Sequence, residues 1–156
     1  MNMEIERKFL ISSLPPLDSC PFHVLEQGYL STDPVIRVRR VDDEYYLTYK
    51  GKGLLSREEY NLPLTKDAYI HLLAKADGII IHKKRYLLPL DGHTVELDIF
   101  SSPFEGLMIA EVEFTSEEKA HLFQPPHWFG QEVTYDRRYH NSSLSQGISP
   151  IFHTDG

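Results

Sequence analysis

An alternation of apolar and polar residues with a period of two runs through most of the chain. Successive side chains of a strand point to opposite faces, so the pattern predicts β-structure. It begins at residues 4–11, where Glu4, Glu6 and Lys8 fall on one face and Ile5, Arg7, Phe9 and Ile11 on the other. The same period predicts strands over residues 23–30, 35–41, 45–50, 56–64, 79–90, 94–100 and 107–114. Turn chemistry separates them: Ser31-Thr32-Asp33-Pro34, Asp42-Asp43-Glu44 and Asp91-Gly92. The stretch 13–21 carries three prolines and is read as irregular. Over residues 65–77 the period changes to that of a helix. Thr65 is its N-cap, Asp67 sits in its first turn, Tyr69, Leu72, Leu73 and Ala76 form its apolar stripe, and Gly78 stops it. Ser116 caps a second, short helix with Glu117 and Glu118 in its first turn, ended by Pro125-Pro126. Residues 133–144 finish the domain with a short helix after Asn141, and residues 146–156 read as a loose tail.

Composition narrows the setting. The chain of 156 residues fits one domain, residues 1–145, with no repeat or linker. A net charge of −7 disfavours nucleic acid as the main partner. The single cysteine, Cys20, excludes an internal disulfide and fits a reducing compartment. No leader-like or membrane-spanning apolar run is seen, so the expectation is a cytoplasmic protein without membrane contact, a monomer or homodimer.

The charges change the picture more. Pairs or triads spaced by two recur as Glu4/Glu6/Lys8, Arg37/Arg39, Lys83/Arg85, Glu96/Asp98 and Glu111/Glu113, joined by Lys50 and Arg57/Glu59. Whole strands are basic and whole strands are acidic, whereas a solvated face scatters its signs. Closed into a barrel, such strands can point their charges outward around an apolar core, or inward around a polar lumen. Unpaired buried charge is prohibitively costly, so an inward arrangement requires a wet bore whose ligand balances it. Basic strands suit a polyanion and acidic pairs suit divalent cations; together they describe a metal-bound polyphosphate.

These segments, in this order, resemble the CYTH superfamily, the triphosphate tunnel metalloenzymes. The hallmark is Glu-x-Glu-x-Lys, here Glu4-Ile5-Glu6-Arg7-Lys8. The likeness extends through Ile36-Arg37-Val38-Arg39, Leu47-Thr48-Tyr49-Lys50, Arg57-Glu58-Glu59-Tyr60, Lys83-Lys84-Arg85-Tyr86, Glu96-Leu97-Asp98, Glu111-Val112-Glu113-Phe114, Trp128-Phe129-Gly130 and Arg138-Tyr139-His140-Asn141. It implies an α+β fold: a closed antiparallel eight-stranded β-barrel with a charged tunnel and helices packed outside. By length and ending the chain is similar to the short bacterial members, typically inorganic triphosphatases. Asn61 stands where many relatives carry a third charge after Arg57 and Glu59, and is not counted as functional. Only Met1-Asn2-Met3 precede the hallmark, where class IV adenylyl cyclases of the family often carry a His-Phe pair.

The resemblance implies roles. Lys8, Arg37, Arg39, Lys50, Arg57, Lys83 and Arg85 would grip the phosphates, with Arg138 either at the tunnel mouth or capping the terminal helix. Glu4, Glu6, Glu111 and Glu113 would hold one or two Mg²⁺ or Mn²⁺ ions. Glu59, Glu96 and Asp98 would complete the metal shell, orient water or anchor the lysines. Thiamine triphosphate, nucleoside triphosphates, cyclic AMP formation, or polyphosphate binding without catalysis are the alternatives. No zinc-like His/Cys cluster and no Gly-x-Ser-x-Gly element occurs, and Gly51-Lys52-Gly53 is not a phosphate-binding P-loop.

Overall fold

The computed structural model describes residues 3–147. Among them nine strands occur: β1 (Met3–Ile11), β2 (Phe22–Thr32), β3 (Val35–Val41), β4 (Glu44–Lys50), β5 (Ser56–Pro63), β6 (Asp77–Leu90), β7 (His93–Phe100), β8 (Met108–Glu113) and β9 (Phe129–Glu132). Helix α1 (Lys66–Leu73) follows β5 and α2 (Glu117–Leu122) follows β8. A 3-10 turn at Arg137–Tyr139 leads into α3 (Asn141–Ser145). None of these helices is long and apolar enough to cross a membrane.

Eight strands close into an antiparallel ring in the order β5-β4-β3-β2-β6-β7-β8-β1. Closure is made where Met3, Glu4 and Ile5 pair with Glu58, Arg57 and Ser56. On the same edge of β1, farther along, Phe9 and Ile11 pair with β9, so β9 is an added strand outside the ring. The ring leaves no long open edge. The β6–β7 turn obeys the Asp-Gly signal: Asp91 and Gly92 both take positive φ, at 48° and 81°, which matches the twist of a tight hairpin.

On β7 and β8, and at Phe9 of β1, the outward face is apolar. Phe9, Val95, Leu97, Ala110, Val112 and Phe114 pack with Ala120, Phe123 and Phe129 from α2 and β9. Arg7 also points outward. Its guanidinium grips Glu132 bidentately at 2.9 and 2.8 Å and donates to the carbonyls of Ala120 and Phe123, tying β1, β9 and the end of α2 together. On the other side of the ring the Tyr69 hydroxyl of α1 donates to Glu26 on β2.

Three sequence expectations need correction. First, α1 ends at Leu73 rather than running to residue 77, because Asp77 is already paired with Tyr29 as the first residue of β6. Gly78 is therefore a strand residue. It takes φ +72, and a Cβ there would lie 2.1 Å from the carbonyl oxygen of Ser145, so it lets α3 close onto β6. Second, β9 went unread: four residues containing Gly130 carry no usable period. Third, the inward face is not charged throughout. Tyr29, Val35, Ile81, Phe100 and Ile109 share strand faces with the charged residues, and they pack with Phe104, Leu107 and Leu144 into an apolar plug beneath α3. Within the plug itself a charge would find neither water nor partner. Most of the expected tail, residues 148–156, lies outside the described residues.

Candidate active site

Above the plug the inward faces enclose a cavity of about 180 Å³. β1 contributes Glu4, Glu6 and Lys8; β3, Arg37 and Arg39; β4, Lys50; β5, Arg57 and Glu59; β6, Lys83 and Arg85; β7, Glu96; and β8, Glu111 and Glu113. Thirteen of its eighteen wall residues are therefore ionic, which fits charged ligands and not apolar ones. Antiparallel register sets acid against base: Glu4 faces Arg57, Lys50 faces Glu59, and Lys8 faces Glu111. Two cross-strand positions break that rule, where Glu6 faces Glu113 and Glu96 faces Glu111.

Most wall cations already have carboxylate partners. Lys50 Nζ lies 2.9 Å from Glu4 Oε1 and 3.3 Å from Glu59 Oε2. Arg57 reaches Glu4 at 3.5 Å. Lys8 lies 3.6 Å from Glu6 and 3.9 Å from Glu111. Arg85 binds Asp98, Glu96 and Glu111 at 2.8, 2.9 and 3.5 Å. Arg37 and Arg39 differ. Among the described residues neither forms an ion pair, and the Nε of each is buried without a hydrogen-bond partner.

Two predicted residues do not face the cavity. Asp98 is buried behind the wall, 2.7 Å from Lys83 and bidentate to Arg85, so it anchors those cations. Arg138 is half exposed and folds back on Asp136, which also accepts from the Arg138 backbone N–H at the start of the 3-10 turn. Of the two placements expected for it, the structure gives the terminal turn and not the tunnel. Five wall residues were missed: Tyr29, Val35, His140, Asn141 and Ser142. Asn141 Oδ1 accepts from Lys83 Nζ at 3.1 Å. Tyr29 was readable from strand parity, but charge counting passed over it.

A comparison with protein families matches residues 2–146 to the CYTH domain. The chain belongs to the CYTH family. A Nitrosomonas europaea protein named inorganic triphosphatase is 43% identical over 151 residues, covering 93% of this chain and 98% of the relative. An Acetivibrio thermocellus protein of the same name is 37% identical over 148 residues, covering 92% and 94%. The crystal structure of an inorganic triphosphatase matches with a TM-score of 0.71 at 39% identity, over 96% of this chain and 98% of that one. Family membership implies dependence on a divalent metal.

The electrostatics of this CYTH domain show two opposite deficits. Burial works to raise Glu4, but Lys50, a hydrogen bond from Glu59 and Arg57 outweigh it and hold Glu4 well below the usual carboxylate range. Burial is likewise outweighed at Glu111 by Lys8, Arg85 and Lys83. Glu6 is the reverse: burial, then Glu111 and Glu4, push it up to about 8. Glu113 is raised by burial and by Glu4 and Glu96. Glu6, even with Lys8 at 3.6 Å, and Glu113 are thus left short of positive charge. On the other side, burial, Arg37 and Arg85 push Arg39 down to about 9. Arg39 thus lacks an anion, whereas at Arg37 burial is outweighed by Tyr29, Glu4 and Glu59, which hold its guanidinium above the usual arginine value.

The donor set fits a hard divalent ion, since it is all carboxylate oxygen. No group of three or more His, Cys, Asp or Glu among the described residues forms a ready-made cage.

Proposed function

We propose that the protein is a divalent-metal-dependent triphosphatase that hydrolyses the terminal phosphoanhydride of inorganic tripolyphosphate. The observation that carries the reading is the juxtaposition of Arg37 and Arg39, buried with no carboxylate in ion-pair range among the described residues, with Glu6 and Glu113, whose carboxyls are raised by burial and neighbouring acids. A metal-bound triphosphate supplies an anion to the first pair and a cation to the second. Within the small cavity only Val35 and Tyr29 offer apolar surface, so nothing there is built for a nucleobase or a thiazolium ring.

Arg37 and Arg39 bind phosphoryl oxygens through their planar donor forks, and Lys8, Lys50, Arg57, Lys83 and Arg85 add charge along the chain. Asp98 and Asn141 hold Lys83, and Asp98 and Glu96 hold Arg85, so these cations are positioned before substrate arrives. Glu6 and Glu113, with Glu4 and Glu111 beside them, would hold Mg²⁺ or Mn²⁺. When bound, the ion neutralises phosphate oxygens and lowers the pKa of a coordinated water. Glu59, whose carboxyl is raised by burial and Glu4, would help orient the attacking water. Water attacks the terminal phosphorus, the bridging P–O bond breaks, and the products are orthophosphate and pyrophosphate. The substrate is a small molecule. Neither nucleic acid nor membrane takes part, and the protein acts in the cytoplasm as a monomer or homodimer.

Phosphate release from tripolyphosphate, ATP and thiamine triphosphate, each with Mg²⁺ or Mn²⁺, tests this. The expected kcat/KM for tripolyphosphate exceeds the others by roughly tenfold or more, about 1.4 kcal/mol of discrimination. Tight binding without turnover would instead make the tunnel a polyphosphate-binding module. A pH profile is expected as well. Burial and Arg85 outweigh Asp98 and push Lys83 down to about 8. Lys83 gives up its charge as pH rises through that value, so kcat/KM, which reports the free enzyme, falls on the alkaline side. In Lys83→Arg the guanidinium stays charged, and that limb moves up by a unit or more. An unchanged limb would assign it to the substrate or another group.

A further inference from the structure

Beneath α3 the tunnel meets a second cavity of about 400 Å³ that shares Val35, Arg57, His140 and Ser142 with its wall. Its other walls are the Thr32–Pro34 turn, the loop of residues 51–54, and Arg137, Ser143 and Gln146 from the terminal segment. Lys52, Arg57 and Arg137 face one carboxylate, Asp33. The loop that carries Lys52 is pinned. Gly51 N–H donates to the Glu58 carbonyl at 3.0 Å, and Gly53 takes φ +138, where a Cβ would sit 1.9 Å from the Ser56 carbonyl oxygen. The other end of the tunnel has the opposite character. The cavity there shares the two acids Glu96 and Glu113 with the tunnel and adds only Lys119 as a fixed cation. A polyanion lying in the bore is therefore drawn toward the α3 end.

We propose that this second cavity is a further phosphate-binding site continuous with the tunnel. It takes inorganic phosphate, either as the units of a polyphosphate beyond the third or as orthophosphate. The proposal rests on the triphosphatase reading for the tunnel and adds to it a place for chain extension or for the departing product. Arg57 is the link. It lines both cavities and already touches Glu4 in the tunnel. The Gly-Lys-Gly segment, which has no P-loop spacing, here supplies a lysine on a fixed loop.

The test is calorimetric binding to the metal-free protein, so that turnover does not enter, using tripolyphosphate, tetrapolyphosphate and orthophosphate. The wild type is compared with a Lys52→Gln/Arg137→Gln double variant. Both side chains are exposed and lie outside the tunnel machinery, so tripolyphosphate binding and hydrolysis are expected to stay within about twofold. Tetrapolyphosphate is expected to bind the wild type roughly five- to tenfold more tightly than tripolyphosphate, and the variant to lose that increment. If tetrapolyphosphate gains nothing but orthophosphate binds the wild type and not the variant, the site belongs to the free product. If neither ligand distinguishes wild type from variant, the proposal is overturned. Chains that bind in this way without being hydrolysed would sink the triphosphatase reading and leave this site standing.

Discussion

Arg39→Met is expected to lower kcat/KM for tripolyphosphate by about 10²–10³-fold, the usual cost of removing one preorganised charge clamp. The ligand-free variant should melt no lower than the wild type. Arg39 is pushed down to about 9 by burial, Arg37 and Arg85, and its Nε has no partner. The empty protein therefore bears an uncompensated cation, and a methionine of similar reach removes it without opening a hole. Thermal unfolding with and without tripolyphosphate shows both halves. The wild type should gain strongly from ligand, and the variant should start at least as high and gain much less. Near-normal turnover, or a large loss of stability in the empty variant, would mean that Arg39 belongs to the scaffold. Arg85 serves as the internal contrast. Its three nitrogens each donate to Asp98 or Glu96, so Arg85→Met should lower stability and activity together.

Glu6→Gln should abolish metal-dependent hydrolysis, by about 10³-fold or more, since the carboxylate is expected to hold an ion that supplies several kcal/mol of transition-state stabilisation. Glu113→Ala should fall likewise. The accompanying pH behaviour has a definite sign. The folded-state value of Glu6 is raised to about 8 from an ordinary carboxylate value of 4.5. Its protonated form therefore supports the fold at low pH, and that support is lost as pH rises between those two values. Glutamine keeps the neutral form throughout, so the stability of Glu6→Gln relative to wild type should grow from pH 5 to pH 8 without metal. Added Mg²⁺ should reverse the order by stabilising only the wild type, with release of a proton. Retained hydrolysis in Glu6→Gln would remove the metal assignment, whatever the unfolding data show.

The sequence carried the wall of the tunnel because strand period is rigid: once Glu4, Glu6 and Lys8 share a face, so must Lys83 and Arg85 or Glu111 and Glu113. It did not carry which of those charges are spent on each other. Lys50 meets Glu4 across 46 residues of sequence, and that pairing depends on ring closure between β1 and β5. Asp98 looked equivalent to Glu96, yet register places it behind Lys83 and Arg85. Arg37 and Arg39 looked equivalent to Lys83 and Arg85, yet among the described residues neither forms an ion pair and the Nε of each is unpartnered. The plug and the contact from Asn141 to Lys83 were hidden for another reason. Both depend on where a five-residue helix settles, and α3 is too short to show a period of its own.

A bore that seats a metal-bound triphosphate holds its cation at the Glu6 side and its phosphates on Arg37 and Arg39. Crystals grown with tripolyphosphate and Mn²⁺ test it most directly, through the anomalous signal of the metal. The prediction is a manganese peak against Glu6 and Glu113 with phosphate oxygens on Arg37 and Arg39. A metal or phosphate chain bound only on the outer surface, with the tunnel holding water alone, would contradict it.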